Sequence, residues 1–334
     1  MRRAAWAALA LAVCAACDGT ATPVPADARA AGPGRAHTIR MDIPAEPDVS
    51  DVPRLVAREA LQQAGYTIEA TSYTDNVVAT QAMTAGKLDV AILSLPGVLA
   101  AIQQGAAITV IMEGSISTRS LVTAPDITAC SDLNGRQVSV PNIISSQTLA
   151  LERFIAKRCP GTRIEKVVIS GANNRLAALL AHRTAGAILD LLTVLELQGN
   201  AGPRYNILSV FGVEFPGLGG AGVVASRAFL DRYPDTARDI VRAWLLATRR
   251  LQDPAVLQDR IETYLGLAPA KAAAAARLYL GKHVWDVNGG LPDGFMQQNI
   301  QFSVDTGVIK PGMTPAAVED VRYVNAVLAE IGRK

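Results

Sequence analysis

Residues 88–112 read LDVAILSLPGVLAAIQQGAAITVIM and decide the fold class. Leu88 to Leu93 is an almost unbroken apolar run, which means a strand covered on both faces, as in a parallel sheet packed between helices. Pro96 to Gln104 has the length and composition of a helix, and Ala107 to Met112 is a second apolar strand. Strand, helix and strand in 25 residues make one α/β unit.

The same alternation extends in both directions. Upstream, Thr38 to Ile43 is a short strand broken by Pro44 and Pro47, followed by a helix with Pro53 in its first turn, Val56, Ala60 and Ala64 on one face, and Gly65 at its end. Tyr66 to Thr71 is another strand, and Asp75 caps a short helix closed by Gly86. Glu113 to Leu121 (EGSISTRSL) interrupts the rhythm with small polar residues, after which the pattern starts again. Asp132 to Gly135 is a turn, Gln137 to Val140 a strand, Pro141 to Thr148 a polar loop and Leu149 to Arg158 a helix. Glu165 to Ile169, Asn173 to Ala181 and Gly186 to Leu189 complete a second α/β unit ending in Asp190. A glycine-rich stretch, Phe215 to Gly222, then leads to Val223–Ala225, and helix signals dominate from Ser226 onward. Trp244, Tyr279, Trp285 and Tyr323 sit on helical apolar stripes, which is the pattern of core rather than of a ligand cage.

Composition excludes several functions. The chain has 334 residues, 50% hydrophobic and 19% charged, with a net charge of +2 and 5% aromatic residues. It is long enough for two domains, and it carries neither a basic stripe nor a stacking platform, so nucleic acid is not an expected partner. His37, His182 and His283 are scattered and match no metal-ligand spacing, so no metal and no cofactor are expected. No G-x-S-x-G elbow nominates a nucleophile. Gly217, Gly219 and Gly222 match G-x-G-x-x-G, but they precede a strand instead of opening a helix, which is the wrong order for a dinucleotide site.

The N-terminus is an address. Arg2 and Arg3 precede an apolar run, Ala4 to Ala16, too short to span a bilayer comfortably. Small residues at 15 and 16 before Cys17 resemble a bacterial lipoprotein cleavage box, although Cys14 stands where such boxes usually carry Leu. Residues 1–16 are therefore read as a signal peptide and 17–37, rich in Ala, Pro, Gly and Thr, as a flexible tether lipidated at Cys17; simple secretion is the alternative. In an exported chain the remaining pair, Cys130 and Cys159, favours a disulfide over two reduced thiols.

Three segments, MTAGKLDVAIL (83–93), DLNGRQVSV (132–140) and AGAILD (185–190), resemble in order and spacing the solute-binding proteins of bacterial ABC importers, in the group that takes nitrate, sulfonates, taurine and thiamine precursors. The resemblance covers nearly the whole mature chain. It implies an α/β, two-lobed periplasmic-binding-protein fold of type II, each lobe an open sheet flanked by helices. Residues 38–117 and 215–334 would form lobe 1, with the C-terminal helices packed on it, and 118–214 lobe 2. Ligand would sit in the cleft and the lobes would close around it.

Carried onto this sequence, the resemblance nominates Glu46 and Asp48 after the first strand, Ser94 after LDVAIL, Glu113, Ser115 and Ser117 at the first crossing, Asn142, Ser145 and Ser146 in the polar loop, and Asp190. Ser94, Ser145, Ser146 and Asp190 rank highest. The plainer alternatives are helix caps for Ser94 and Asp190 and solvated loop charges for Glu46 and Asp48. Arg119 and Arg175 are the arginines near the expected cleft; the acids suit an amino group or a heterocyclic amine, whereas the hydroxyls suit an oxyanion. The implied function is a monomeric, lipid-anchored receptor on the periplasmic side of the membrane that passes a small polar organic solute to an ABC permease and ATPase complex. The alternatives are a receptor for a TRAP-type carrier or sensor, and an enzyme of thiamine-pyrimidine synthesis on the same fold.

Overall fold

The computed structural model describes residues 37–45, 47–73, 75–199, 205–215, 219–290 and 294–334. The signal-like segment, Cys17, the tether up to residue 36 and Glu46 lie outside the described residues; His37, expected to end the tether, instead stacks on Tyr233.

In chain order, β1 (Thr38–Pro44), a short 3-10 turn (Val49–Asp51), α1 (Val52–Gln63), β2 (Thr67–Tyr73), α2 (Asn76–Thr84), β3 (Val90–Leu93), α3 (Leu95–Gln103) and β4 (Ile108–Ile116) come first. The chain then passes to β5 (Arg119–Thr123), a 3-10 turn (Cys130–Leu133), β6 (Gln137–Val140), α4 (Ser146–Arg158), β7 (Glu165–Val168), α5 (Ala172–Leu180), β8 (Gly186–Asp190), α6 (Leu191–Gly199), β9 (Asn206–Val210) and α7 (Phe211–Glu214). β10 (Gly219–Ser226) returns, followed by α8 (Arg227–Arg232), α9 (Pro234–Arg250), α10 (Pro254–Leu265), α11 (Pro269–Gly281), α12 (Phe295–Asp305), α13 (Pro315–Val318) and α14 (Arg322–Ile331).

The strands form two five-stranded sheets, β2-β1-β3-β10-β4 and β7-β6-β8-β5-β9. Each has three parallel strands and then one antiparallel to both its neighbours: β10 in the first sheet, β5 in the second. Those two strands stand at the two crossings between lobes, so each sheet is completed by chain arriving from the other.

The unbroken apolarity of β3 has the expected cause. Val90 packs into a cluster with α1, α9 and α14, while Ala91 and Leu93 pack into another with α2, α3 and α12. Trp244 and Tyr323 are buried in the first cluster, and Tyr279 stacks on Trp285 in a third, built from α10 and α11. The second lobe has its own core around Leu121, Val138, Leu151 and Ile188, which also receives Phe302 of α12. Cys130 and Cys159 are bonded, with Cα atoms 6.0 Å apart, tying the 3-10 turn to the end of α4 across 29 residues. By loop-closure entropy such a link contributes about 3 to 4 kcal/mol.

Two readings of the crossings need correction. The polar stretch expected to break the sheet at Glu113 continues β4 to Ile116, and Arg119 to Thr123 is the strand β5. Strand pairing supplies what side-chain hydrophobicity does not, because β4 pairs along its length with β10 through three register irregularities, two of them at the glycines. The glycine-rich stretch becomes strand for the same reason: a Cβ on Gly220 would stand 2.9 Å from the Ile116 carbonyl, and one on Gly222 2.9 Å from Leu95. Likewise a Cβ on Gly212 would lie 2.5 Å from the Ser117 carbonyl, so the two crossings run in backbone contact. Among the described residues, no helix is long and apolar enough to cross a membrane.

Candidate functional site

Between the sheets lies a cavity of about 670 Å³, lined from both lobes by residues that follow strand ends or open helices. Its first-lobe wall begins at β1. Asp48 caps the turn Val49–Asp51 by accepting from Ser50 N at 2.6 Å, and Asp51 returns the bond by accepting from Asp48 N at 2.9 Å. Arg54, in the first turn of α1, donates to Asp42 at 2.7 Å and to Asp51, while Asp42 also accepts from Ile92 N at 3.0 Å. Arg54 is 4% and Asp42 6% exposed, so this is a buried cation between two acids. Burial opposes the Arg54 charge, and the two carboxylates more than offset it and hold its pKa above the ordinary value. Burial also pushes the Asp51 carboxyl up, against the pull of Arg54. Farther along the wall, Asp75 caps α2 by accepting from Val77 N at 2.6 Å, and Asn76 Oδ1 accepts from Ser94 N at 2.9 Å.

The second-lobe wall is made of strand ends and helix starts. Arg119 at the start of β5 pairs in register with Asp190 at the end of β8. Asp190 accepts from Thr193 N at 2.9 Å, as the first turn of α6 requires. Ser145 caps α4, its hydroxyl accepting from Thr148 N at 3.2 Å. Gly171, at φ 79°, leads into α5 without a side-chain cap, and the buried Arg175 guanidinium donates to the carbonyls of Ile188 at 2.8 Å and Ile169 at 3.0 Å.

The walls touch directly. Ser94 Oγ accepts from Ser146 N at 3.1 Å, Ser146 Oγ donates to the Gly220 carbonyl at 3.1 Å, and Asn142 Nδ2 donates to Asp75 Oδ2 at 3.2 Å. Arg119 spans the gap, 2.9 Å from Asp48 on one side and 3.4 Å from Asp190 on the other. Its pKa lies above the ordinary value, because these two acids outweigh the opposing effect of burial. Behind this group, burial and then the charges of Asp48 and Asp190 push the Tyr279 phenol well up.

Of the residues named from the sequence, Asp48, Ser94, Ser115, Ser117, Asn142, Ser145, Ser146 and Asp190 line this cavity. Ser145 and Asp190 are also caps, and Ser94 and Ser146 bind each other across the gap. Glu113 is elsewhere. Since β4 runs on past Met112, Glu113 sits inside the paired strand, its N–H donating to the Gly289 carbonyl at 2.9 Å and its side chain packed under Gly290. A Cβ on Gly290 would stand 2.6 Å from that of Glu113, and the left-handed φ of 58° there suits glycine. Burial and then the nearby Asp286 push the Glu113 carboxyl up to about 8, and its Oε1 has no hydrogen-bond partner.

Reasoning from sequence missed Asp42, Arg54, Asp75, Asn76 and the loop Ser170–Asn174, all of which line the cavity. The loop carried a usable signal: SGANN between a strand and a helical run is the same polar-loop pattern as 142–148. Arg54 carried none, since an arginine in the first turn of a helix reads as solvated until the acids around it are located.

A family model described as NMT1/THI5 like matches residues 40–254. No curated protein matches the chain in sequence. Among solved structures, the ligand-binding component of an ABC-type import system from Staphylococcus aureus, with zinc bound, has a TM-score of 0.72 at 14% identity, covering 87% of this chain and 98% of that one. The alkanesulfonate-binding protein SsuA from Xanthomonas axonopodis pv. citri, bound to MOPS, has a TM-score of 0.67 at 17% identity, with 86% and 99% covered. The periplasmic nitrate-binding protein NrtA from Synechocystis PCC 6803 also has a TM-score of 0.67, at 9% identity, with 88% and 89% covered. At these identities the likeness is one of fold, the two-lobed periplasmic-binding-protein architecture.

Proposed function

The chain belongs to the NMT1/THI5-like family, and from that premise we propose that it is an extracytoplasmic solute-binding lipoprotein, capturing a small polar organic solute between its lobes and delivering it to an ABC permease and its ATPase. The observation that carries this reading is the cavity of about 670 Å³, built from both sheets and faced by helix starts, hydroxyls and charged side chains. Its size suits a small organic molecule, and its position between two sheets suits capture by closure. Residues 38–117 with 215–334 serve as one lobe and 118–214 as the other, and the crossings, which approach each other where Gly212 meets Ser117 and Gly220 meets Ile116, serve as the hinge. Capture of this kind needs no chemistry at the solute, so the role is non-enzymatic. Lipidation at Cys17 would hold the protein, as a monomer, at the periplasmic side of the membrane.

The test is a thermal-shift and calorimetric panel of sulfonates, amino acids, amines, pyrimidines and thiamine precursors. A binder present at a hundredfold excess over its Kd should stabilise the fold by about 2.7 kcal/mol. If nothing in the panel raises the melting temperature, solute capture is refuted. Cys17→Ala should move the protein from the membrane fraction to the soluble one.

A further inference from the structure

Among the described residues lining the cleft, five aspartates (42, 48, 51, 75 and 190) face three arginines (54, 119 and 175), leaving two negative charges in excess. With Asp51 protonated the balance is still negative by one. The distribution matters more than the count. Arg54 is held by Asp42 and Asp51, and Arg119 by Asp48 and Asp190, so neither presents a guanidinium fork to an incoming anion. The Arg175 head is turned to the backbone carbonyls of Ile169 and Ile188. Asp75, by contrast, receives only neutral donors among the described residues, the N–H of Val77 and the amide of Asn142.

The cavity lining also bears on shape. Tyr73 is its sole aromatic side chain among the described residues, so no pair of rings sandwiches a flat heterocycle, whereas Ile92, Leu192, Leu265 and Leu267 offer surface to an alkyl chain.

We propose that the solute selected by this cleft is an aliphatic cation, an alkylamine or guanidino compound without an anionic group, its charged nitrogen held by Asp75. The proposal rests on the solute-capture reading and deepens it. An ammonium or guanidinium supplies donors to Asp75 and offsets the excess negative charge; a sulfonate or nitrate would add to that excess and find each cleft arginine already engaged.

Calorimetry on the full chain, purified from the cell envelope, tests it with putrescine and agmatine as cations, taurine as a zwitterion, and ethanesulfonate and nitrate as anions. A cation should bind, more weakly as salt rises. Asp75→Asn keeps a cap for α2 and should weaken that binding at least tenfold without changing the melting temperature of the solute-free protein. Arg119→Gln leaves Asp48 and Asp190 uncompensated and should tighten cation binding severalfold, a gain that general damage to the fold does not produce. Binding confined to taurine or the anions overturns the cation assignment and leaves solute capture standing, and so does a cation whose affinity is indifferent to Asp75→Asn. If no solute of any charge binds, both readings fall.

Discussion

Arg54 and Arg119 each sit between two aspartates, yet they do different things. Both acids that hold Arg54 belong to the first lobe, and the group is buried where β1, the 3-10 turn and α1 meet. Arg119 reaches Asp48 in the first lobe and Asp190 in its own, so its bonds depend on how far apart the lobes stand. The chemistry is the same and the connectivity is not. A charge group inside one lobe contributes to that lobe's stability, whereas one that spans the cleft contributes to how the lobes stand relative to each other.

The comparison can be broken most forcefully at Arg54. Arg54→Met strands two carboxylates in the protein interior and should cost about 3 to 5 kcal/mol in urea unfolding. A loss below about 1 kcal/mol would show that the inner group is not holding the lobe together.

Glu113 sharpens the contrast as a buried acid with no arginine at all. Its carboxyl is raised from the ordinary 4.5 to about 8, so the folded chain keeps a proton that the unfolded chain releases. The stability this contributes is fully present below about pH 4.5 and is lost as pH rises through about 8. Glu113→Gln should remove that decline and gain on the order of 4 kcal/mol at pH 8, with little gain at pH 4, measured by chemical unfolding across the range. A parallel pH dependence in wild type and variant would rule the effect out.

Arg119→Gln should have the smallest effect on stability, about 1 to 2 kcal/mol, because the group is partly open to solvent. Its larger consequence is geometric. Small-angle scattering without solute should show a larger radius of gyration for the variant than for the wild type, while Arg54→Met, if it folds, should not. Equal radii for Arg119→Gln and wild type would mean that Arg119 does not hold the lobes together.

Much of the fold was legible because it rests on local patterns. The run Leu88–Leu93 announced a strand covered on both faces, Pro53 and Gly65 bracketed α1, and loop polars such as Ser94, Asn142 and Asp190 marked where strands stop and helices begin. Those same stops line the cleft, so eight of the ten nominated contacts stand at the cavity. Glu113 misled because a polar residue after an apolar strand reads as the start of a loop. Only the pairing of β4 with β10, a strand more than a hundred residues away, carries it into the sheet. Ser145 and Asp190 could be placed at the cleft from sequence, and a cap was the plainer alternative for Asp190, but the partners on which they spend their oxygens, Thr148 and Thr193, show only in the structure.

The order and type of the elements, the two α/β units and the positions of the cleft loops follow from the sequence alone, because apolar periodicity, prolines, glycines and caps act over a few residues. The partners of the charges were decided only in three dimensions. Arg54 finds Asp42 through the packing of α1 on β1, and Arg119 finds Asp48 through the approach of two lobes. A side chain's charge is encoded where it stands, but whether that charge is offered to a solute depends on which distant groups the fold brings within hydrogen-bonding distance.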